Sequence, residues 1–202
     1  MPVILSHNNH HDMVALWQIT KEEFSAREQG NSIQNLQNQR QRQKLACLSL
    51  ANLYTGGNSN IFYDVHGKPH LANDPRNISF SHSGEYAAMM LSDRHAGIDF
   101  EMIRAKVLNI THKFLNENEL ESLHEIHRVE HAHIYWGAKE SLYKVYGKQQ
   151  LSFRENLLIE PFPYESSKGY FKAAIVTESN RKNFTLYYEQ MFGYMLVYVV
   201  NS

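Results

Sequence analysis

Asn77-Ile78-Ser79-Phe80-Ser81-His82-Ser83-Gly84, then Tyr86-Ala87-Ala88-Met89-Met90-Leu91, the polar Ser92-Asp93-Arg94-His95 and finally Gly97-Ile98-Asp99-Phe100-Glu101 is the stretch on which the fold turns. Short apolar runs broken by glycine and polar turn residues predict a hairpin and a further strand. Downstream, from Val107 to about Gly147, the pattern becomes helical. Phe114 and Leu115, Leu120 and Leu123, then Trp136, Leu142, Tyr143 and Tyr146 recur at intervals suited to a 3.6-residue period, which predicts two or three helices. The tail is aromatic and β-branched at Tyr170-Phe171-Lys172-Ala173-Ala174-Ile175-Val176, Phe184-Thr185-Leu186-Tyr187-Tyr188 and Tyr194-Met195-Leu196-Val197-Tyr198-Val199-Val200, and should close a sheet. Upstream, a Gln- and Asn-rich segment from about Glu28 to Lys44 merges into apolar Leu45-Ala46-Cys47-Leu48-Ser49-Leu50-Ala51-Asn52-Leu53-Tyr54 and stops at Gly56-Gly57. That predicts a helix whose last three turns are buried. Strand-like pieces follow at Ile61-Phe62-Tyr63 and around His66-Gly67-Lys68-Pro69.

Each half of the chain thus carries helix followed by strands. An α+β fold is expected, with an N-terminal half over 1–97, a C-terminal half over 98–202 and no flexible linker between them. The 202 residues suffice for that core, and 43% hydrophobic with 20% charged residues is a globular composition. A formal net charge of −1 supplies no overall positive field to gather nucleic acid or an anionic membrane, so any anion site must be local. The single cysteine, Cys47, rules out an internal disulfide and lies in a core-like setting. The start of the chain turns polar after three apolar residues, and no stretch reaches the ~20 apolar residues of a membrane span. A cytoplasmic protein is expected.

Three clusters carry chemistry. Asp99 and Glu101 flank Phe100 in the expected strand, so both carboxylates project from one face, about 7 Å apart at their Cα atoms. Two hard oxygen ligands on a rigid surface suit Mg²⁺, which takes one or two carboxylates and completes its shell with water and phosphate. A half-exposed strand with its acids in water is the other reading. It weakens if the face beneath the acids is covered, as the doubly apolar Ala87–Leu91 run, taken as the neighbouring strand, suggests. The second cluster is Trp136-Gly137-Ala138-Lys139-Glu140-Ser141-Leu142-Tyr143-Lys144. Glu140 and Lys144 share a helix face at i,i+4, with Lys139 about 100° round from Glu140. An exposed pair of this kind contributes only about 0.3–0.5 kcal/mol. Trp136 and Tyr143 on either side of the stripe are an odd choice for a solvent face. The third is Ser81-His82-Ser83-Gly84, a polar knot able to aim hydroxyls, an imidazole and N–H groups at an anion. The twelve histidines show no zinc-ligand spacing, and no GxxxxGK[ST], GxGxxG or GxSxG motif occurs.

In this order, Gly67-Lys68-Pro69, Ile78–Gly84, Gly97–Glu101 and Trp136–Lys144 resemble the 4′-phosphopantetheinyl transferase superfamily. The length favours its single-chain type, two similar α+β halves packed as a pseudo-dimer, which activates surfactin synthetase. The resemblance implies a monomeric, Mg²⁺-dependent (or Mn²⁺-dependent) enzyme. It would transfer the 4′-phosphopantetheine of coenzyme A to a serine of an apo acyl or peptidyl carrier protein and release 3′,5′-ADP. It further implies that Asp99 and Glu101 hold the metal, with Glu140 joining them or acting as base. Lys144 would meet the diphosphate with Lys139 near it, Ser81 and His82 would contact the 3′-phosphate side, and Lys68 with Pro69 would flank the adenine. Arg40, Arg42 and Lys44 are candidates for the 3′-phosphate. The chain departs from many relatives at Leu48, where they carry an arginine. A non-catalytic coenzyme A or carrier-protein binding module is the alternative, and an unrelated α+β interaction protein a third reading.

Overall fold

The computed structural model describes residues 3–8, 10–20, 39–57, 59–148 and 150–201. Along the chain come β1 (Val3–Asn8), β2 (Asp12–Gln18), α1 (Gln39–Tyr54), β3 (Ile61–Tyr63), β4 (Pro69–Leu71), β5 (Asn77–Ser83), β6 (Tyr86–Ser92) and β7 (Ile98–Met102). A 3₁₀ turn over Ala105–Ile110 leads to α2 (Thr111–Phe114), α3 (Glu117–Glu121) and α4 (Arg128–Tyr146). Then follow β8 (Leu157–Ile159), β9 (Lys168–Thr177), β10 (Asn180–Met191) and β11 (Tyr194–Val200). The part of the expected first helix between residues 28 and 38 lies outside the described residues.

Two antiparallel sheets carry the fold, ordered β1-β2-β6-β5 and β7-β11-β10-β9-β8, beside the small β3-β4 hairpin. The period-two alternation of strands sorts their side chains into layers. Met13, Ala15 and Trp17 of β2 and Ala87, Met89 and Leu91 of β6 pack on Ala46, Leu50 and Ala51 of α1. The intervening Val14, Leu16, Ala88 and Met90 face Ile98, Phe100 and Leu196 of the second sheet. Beyond that sheet, Met195, Val197 and Val199 pack against Ala138 and Leu142 of α4. The succession is therefore helix, sheet, sheet, helix, which explains why β2 and β6 are apolar on both faces. The same absence of alternation is why no strand is evident at residues 12–18 from sequence alone.

One neighbour relation differs from expectation. β7 does not continue the β5-β6 hairpin in its sheet; it pairs with β11, with Asp99 opposite Val197 and Glu101 opposite Met195. The reason is competition for edges. β6 is already bonded on one side to β2 and on the other to β5, so it has no free ladder to offer. Both faces of β7 are nonetheless covered: α4 lies over the face that carries the two acids, and β2 and β6 over the Ile98 and Phe100 face.

Ties between the sheets are specific. The Asn201 amide N–H and side-chain amide donate to the two oxygens of buried Asp12 at 2.8 and 2.7 Å, joining the end of β11 to the start of β2. Two glycines let α4 lie close on the second sheet. A Cβ on Gly137 would sit 2.7 Å from Val197 Cγ2, and one on Gly97 would collide with the Ser141 carbonyl oxygen. Because that obstacle is backbone, Gly97→Ala should push α4 away from β7. A stability loss of about 1–3 kcal/mol is expected, measured by denaturant unfolding; an unchanged midpoint would contradict this packing.

Candidate active site

β7 is an edge strand of its sheet, so its outward N–H groups have no backbone ladder. β5 supplies the missing partners through side chains. Ser79, Ser81 and Ser83, alternating along that strand, accept from the N–H groups of Ile98, Phe100 and Met102 at 3.3, 3.1 and 3.2 Å. A hydroxyl that accepts an amide proton still has one proton to give. Ser81 Oγ donates it to Asp99 Oδ1 at 2.9 Å, and Ser83 Oγ to Glu101 Oε2 at 2.8 Å. One ladder of serines thus closes the seam between the sheets and orients both carboxylates.

Asp99 is only 3% exposed. Its Oδ1 also accepts from Lys144 Nζ at 3.0 Å, and the same ammonium donates to the Ile98 carbonyl oxygen at 2.7 Å. Oδ2 is buried without a hydrogen-bond partner. Gly137 lies against that oxygen, since a Cβ there would stand 3.5 Å from it. Burial, and then the charge of Asp99, push the Glu101 carboxyl above its usual range. Glu140 goes further: burial first, with Asp99 and Glu101 adding to it against Lys144, raises it to about 7. These acids open onto a cleft of about 930 Å³ between the sheets and α4.

The structure brings most of the sequence-derived residues to that cleft. Asp99, Glu101, Glu140 and Lys144 line it together with Ser81, His82, Lys44, Lys68 and Pro69. Burial, followed by the charges of Lys144, Arg40 and Lys44, holds His82 below the usual imidazole range against a backbone hydrogen bond. Lys68 Nζ donates to the Val145 carbonyl oxygen at 2.8 Å, bridging the β3-β4 hairpin to the end of α4. Trp136 and Tyr143, the odd aromatics of the helix stripe, also face the cleft.

Others fall elsewhere. Lys139 is fully buried on the far side of α4, where Nζ donates to Glu119 Oε2 at 2.6 Å and to the Phe153 carbonyl oxygen at 2.9 Å. The step of about 100° from Glu140 carries it away from the cleft. Arg40 is exposed at the start of α1 and does not line the cleft, although its charge reaches His82. Arg42 is likewise outside the lining. Leu48 does line it, beside Cys47, whose thiol burial pushes up to about 12. The role of Ser83 could have been found from the strict alternation Ser79-Phe80-Ser81-His82-Ser83. That of Glu119 has no local signal beyond the capping box it forms with Asn116.

Among the described residues, no three His, Cys, Asp or Glu side chains are gathered closely enough to grip a metal ion as they stand. The donor set still fits a hard divalent cation. It consists of carboxylate oxygens, one of them buried and orphaned, held near one another against their mutual repulsion.

Residues 95–190 match the family model of the 4′-phosphopantetheinyl transferase superfamily. Over 143 residues, 68% of this chain, the sequence is 28% identical to 4′-phosphopantetheinyl transferase gsp of Aneurinibacillus migulanus. The match covers 57% of that relative, so the chain spans little more than half its length.

Two outcomes follow from the site. Lys139→Met strands the Glu119 charge in the interior and should cost about 3–5 kcal/mol, part of it recovered in a Lys139→Met/Glu119→Gln double variant, whose amide oxygen can still accept from a backbone N–H that Glu119 serves; urea titrations of the three proteins decide this. For Glu140 the sign is opposite to that of a salt-bridged acid. With its folded-state pKa near 7 and an ordinary value of 4.5, the folded state binds more protons across that window, so stability falls as pH rises through it. Glu140→Gln should therefore melt higher than the parent at pH 8, with the gain shrinking towards pH 4.5.

Proposed function

We propose that the chain, whose residues 95–190 match the model of the 4′-phosphopantetheinyl transferase superfamily, is a member of that family and transfers the 4′-phosphopantetheine arm of coenzyme A to a serine of an apo acyl or peptidyl carrier protein, releasing 3′,5′-ADP. The observation that carries this reading is the convergence of Asp99, Glu101, Glu140 and Lys144 on one cleft large enough for a dinucleotide-like ligand.

The cleft has the charge that such a ligand needs. Lys44, Lys68, Lys144 and Lys148 all line it, a local positive field in a chain whose net charge is −1. Lys68 and Pro69 flank the adenine in this reading, with Lys44 and His82 towards the 3′-phosphate and Arg40 contributing at longer range. Asp99 and Glu101, oriented by Ser81 and Ser83, hold Mg²⁺ or Mn²⁺, and Glu140 completes the carboxylate set. The bound ion supplies charge neutralisation at the diphosphate.

In the reaction the carrier serine oxygen bonds to the β-phosphorus of coenzyme A. The bond from that phosphorus to the bridging oxygen breaks, and the electron pair leaves on 3′,5′-ADP. Lys144 is placed to meet the charge that develops on the diphosphate. Glu140, which titrates near neutrality, is suited to take up the serine proton. No covalent intermediate on the protein is required, so positioning and electrostatics supply the rate. We further propose a cytoplasmic monomer divided into halves at 97/98. Among the described residues no helix is long and apolar enough to cross a membrane.

Incubation with coenzyme A, Mg²⁺ and an apo carrier protein should add the mass of one phosphopantetheine to the carrier, and EDTA should prevent it. Asp99→Ala and Glu140→Ala should each abolish transfer while circular dichroism stays unchanged. Near-normal transfer by either variant would refute the site, and coenzyme A binding without transfer would mark a non-catalytic binding module.

A further inference from the structure

Lys144 is engaged in an unusual way for a residue read as a phosphate ligand. Although the residue lines the cleft, its ammonium makes two hydrogen bonds to β7, to the Ile98 carbonyl oxygen at 2.7 Å and to Asp99 Oδ1 at 3.0 Å. Its side chain is 26% exposed, whereas that of Asp99 is 4% exposed. A charge carried from α4 on a flexible stem is thus inserted among otherwise buried oxygens. A carbonyl oxygen and a carboxylate oxygen on adjacent residues are what a small hard cation binds, and an ammonium is a compact point charge that can occupy the same place.

The inserted lysine does not satisfy the cluster. Asp99 Oδ2 remains without a hydrogen-bond partner, and Glu101, which accepts from Ser83 Oγ, shares the cleft with Glu140. One positive charge, that of Lys144, is paired within the carboxyl cluster, although Lys44, Lys68 and Lys148 also line the cleft. A divalent ion supplies twice that charge, and the unbranched lysine side chain can swing out once its partner is taken.

We propose that Lys144 is an internal stand-in for the divalent ion: without substrate its ammonium neutralises Asp99, and entry of the ion releases it into the cleft. This rests on the reading of Asp99 and Glu101 as cation ligands. It adds that metal and lysine compete for one carboxylate, so the lysine becomes available to a diphosphate only after the ion has bound. The contacts of Lys144 with β7 are then an order-setting device rather than a permanent salt bridge.

Competition makes opposite demands from cooperation, and Mn²⁺ titration of the full chain without coenzyme A, followed by electron paramagnetic resonance, separates them. Lys144→Met should bind Mn²⁺ at least about fivefold more tightly than the parent, the lower end of ordinary coupling between sites; Lys144→Gln should do the same if the methionine variant folds poorly. Lys148→Met, which removes another cleft charge, should tighten binding much less. In the parent, labelling of Lys144 by an amine-reactive ester, read by peptide mass spectrometry, should accelerate on saturation with Mn²⁺. Equal or weaker binding by both Lys144 variants, an equal effect of Lys148→Met, or labelling that slows or stays constant would overturn the stand-in. Asp99→Asn tests the premise separately: if it binds Mn²⁺ as the parent does, or if no variant binds at all, the cation-site reading fails along with the proposal.

Discussion

Three serine hydroxyls on β5, spaced by two, take the place of a strand ladder along the edge of β7. An edge strand must have its N–H groups answered by something, and a neighbouring backbone would have fused the two sheets into one. Side chains answering instead keep the sheets distinct while holding them at hydrogen-bond distance. The same hydroxyls have one proton left, and Ser81 and Ser83 spend it on Asp99 and Glu101. Closure of the fold and aim of the acids are therefore a single arrangement.

That arrangement permits an unfavourable electrostatic cluster. Asp99 is almost completely buried, with one oxygen unpartnered, and Glu101 and Glu140 feel both burial and its charge. Isolated carboxylates so placed would be expected to neutralise by protonation. Here the hydroxyls of Ser81 and Ser83 and the ammonium of Lys144 share the load, and the part that remains unbalanced is what the proposed cation would offset. Structures tolerate strain of this kind mainly where chemistry uses it.

Helix α4 shows how one turn of an α-helix assigns opposite fates to neighbouring residues. Glu140 and Lys144 share the face towards the cleft, while Lys139 turns to the interior and closes a buried pair with Glu119. Glu119 in turn accepts from the N–H groups of Asn116 and Ile159, tying α3, α4 and β8 into one frame. Lys139 thus secures the helix that presents Glu140 rather than touching what the cleft holds. The close seat of α4 depends on Gly97, whose missing side chain lets it meet the Ser141 backbone, and on Gly137, which leaves room for the Val197 side chain.

The sequence by itself determined the α+β class, the strand carrying Asp99 and Glu101, the helix carrying Glu140 and Lys144, and the C-terminal strands. All of these follow from local periodicity, which backbone geometry imposes residue by residue. Tertiary structure alone decided that β7 joins β11 and not β6, because strands compete for a limited number of edges across the whole chain. It also decided that α4 covers the acids, that Ser81 serves Asp99, and that Lys139 belongs to Glu119. Those outcomes depend on which distant partner arrives within hydrogen-bond reach. Residues 116–119 carry no local mark of their pairing with 139, and the serine alternation over 79–83 marks a hydroxyl face without naming 98–102 as its partner, since the free energy that joins them exists only when the layers have packed.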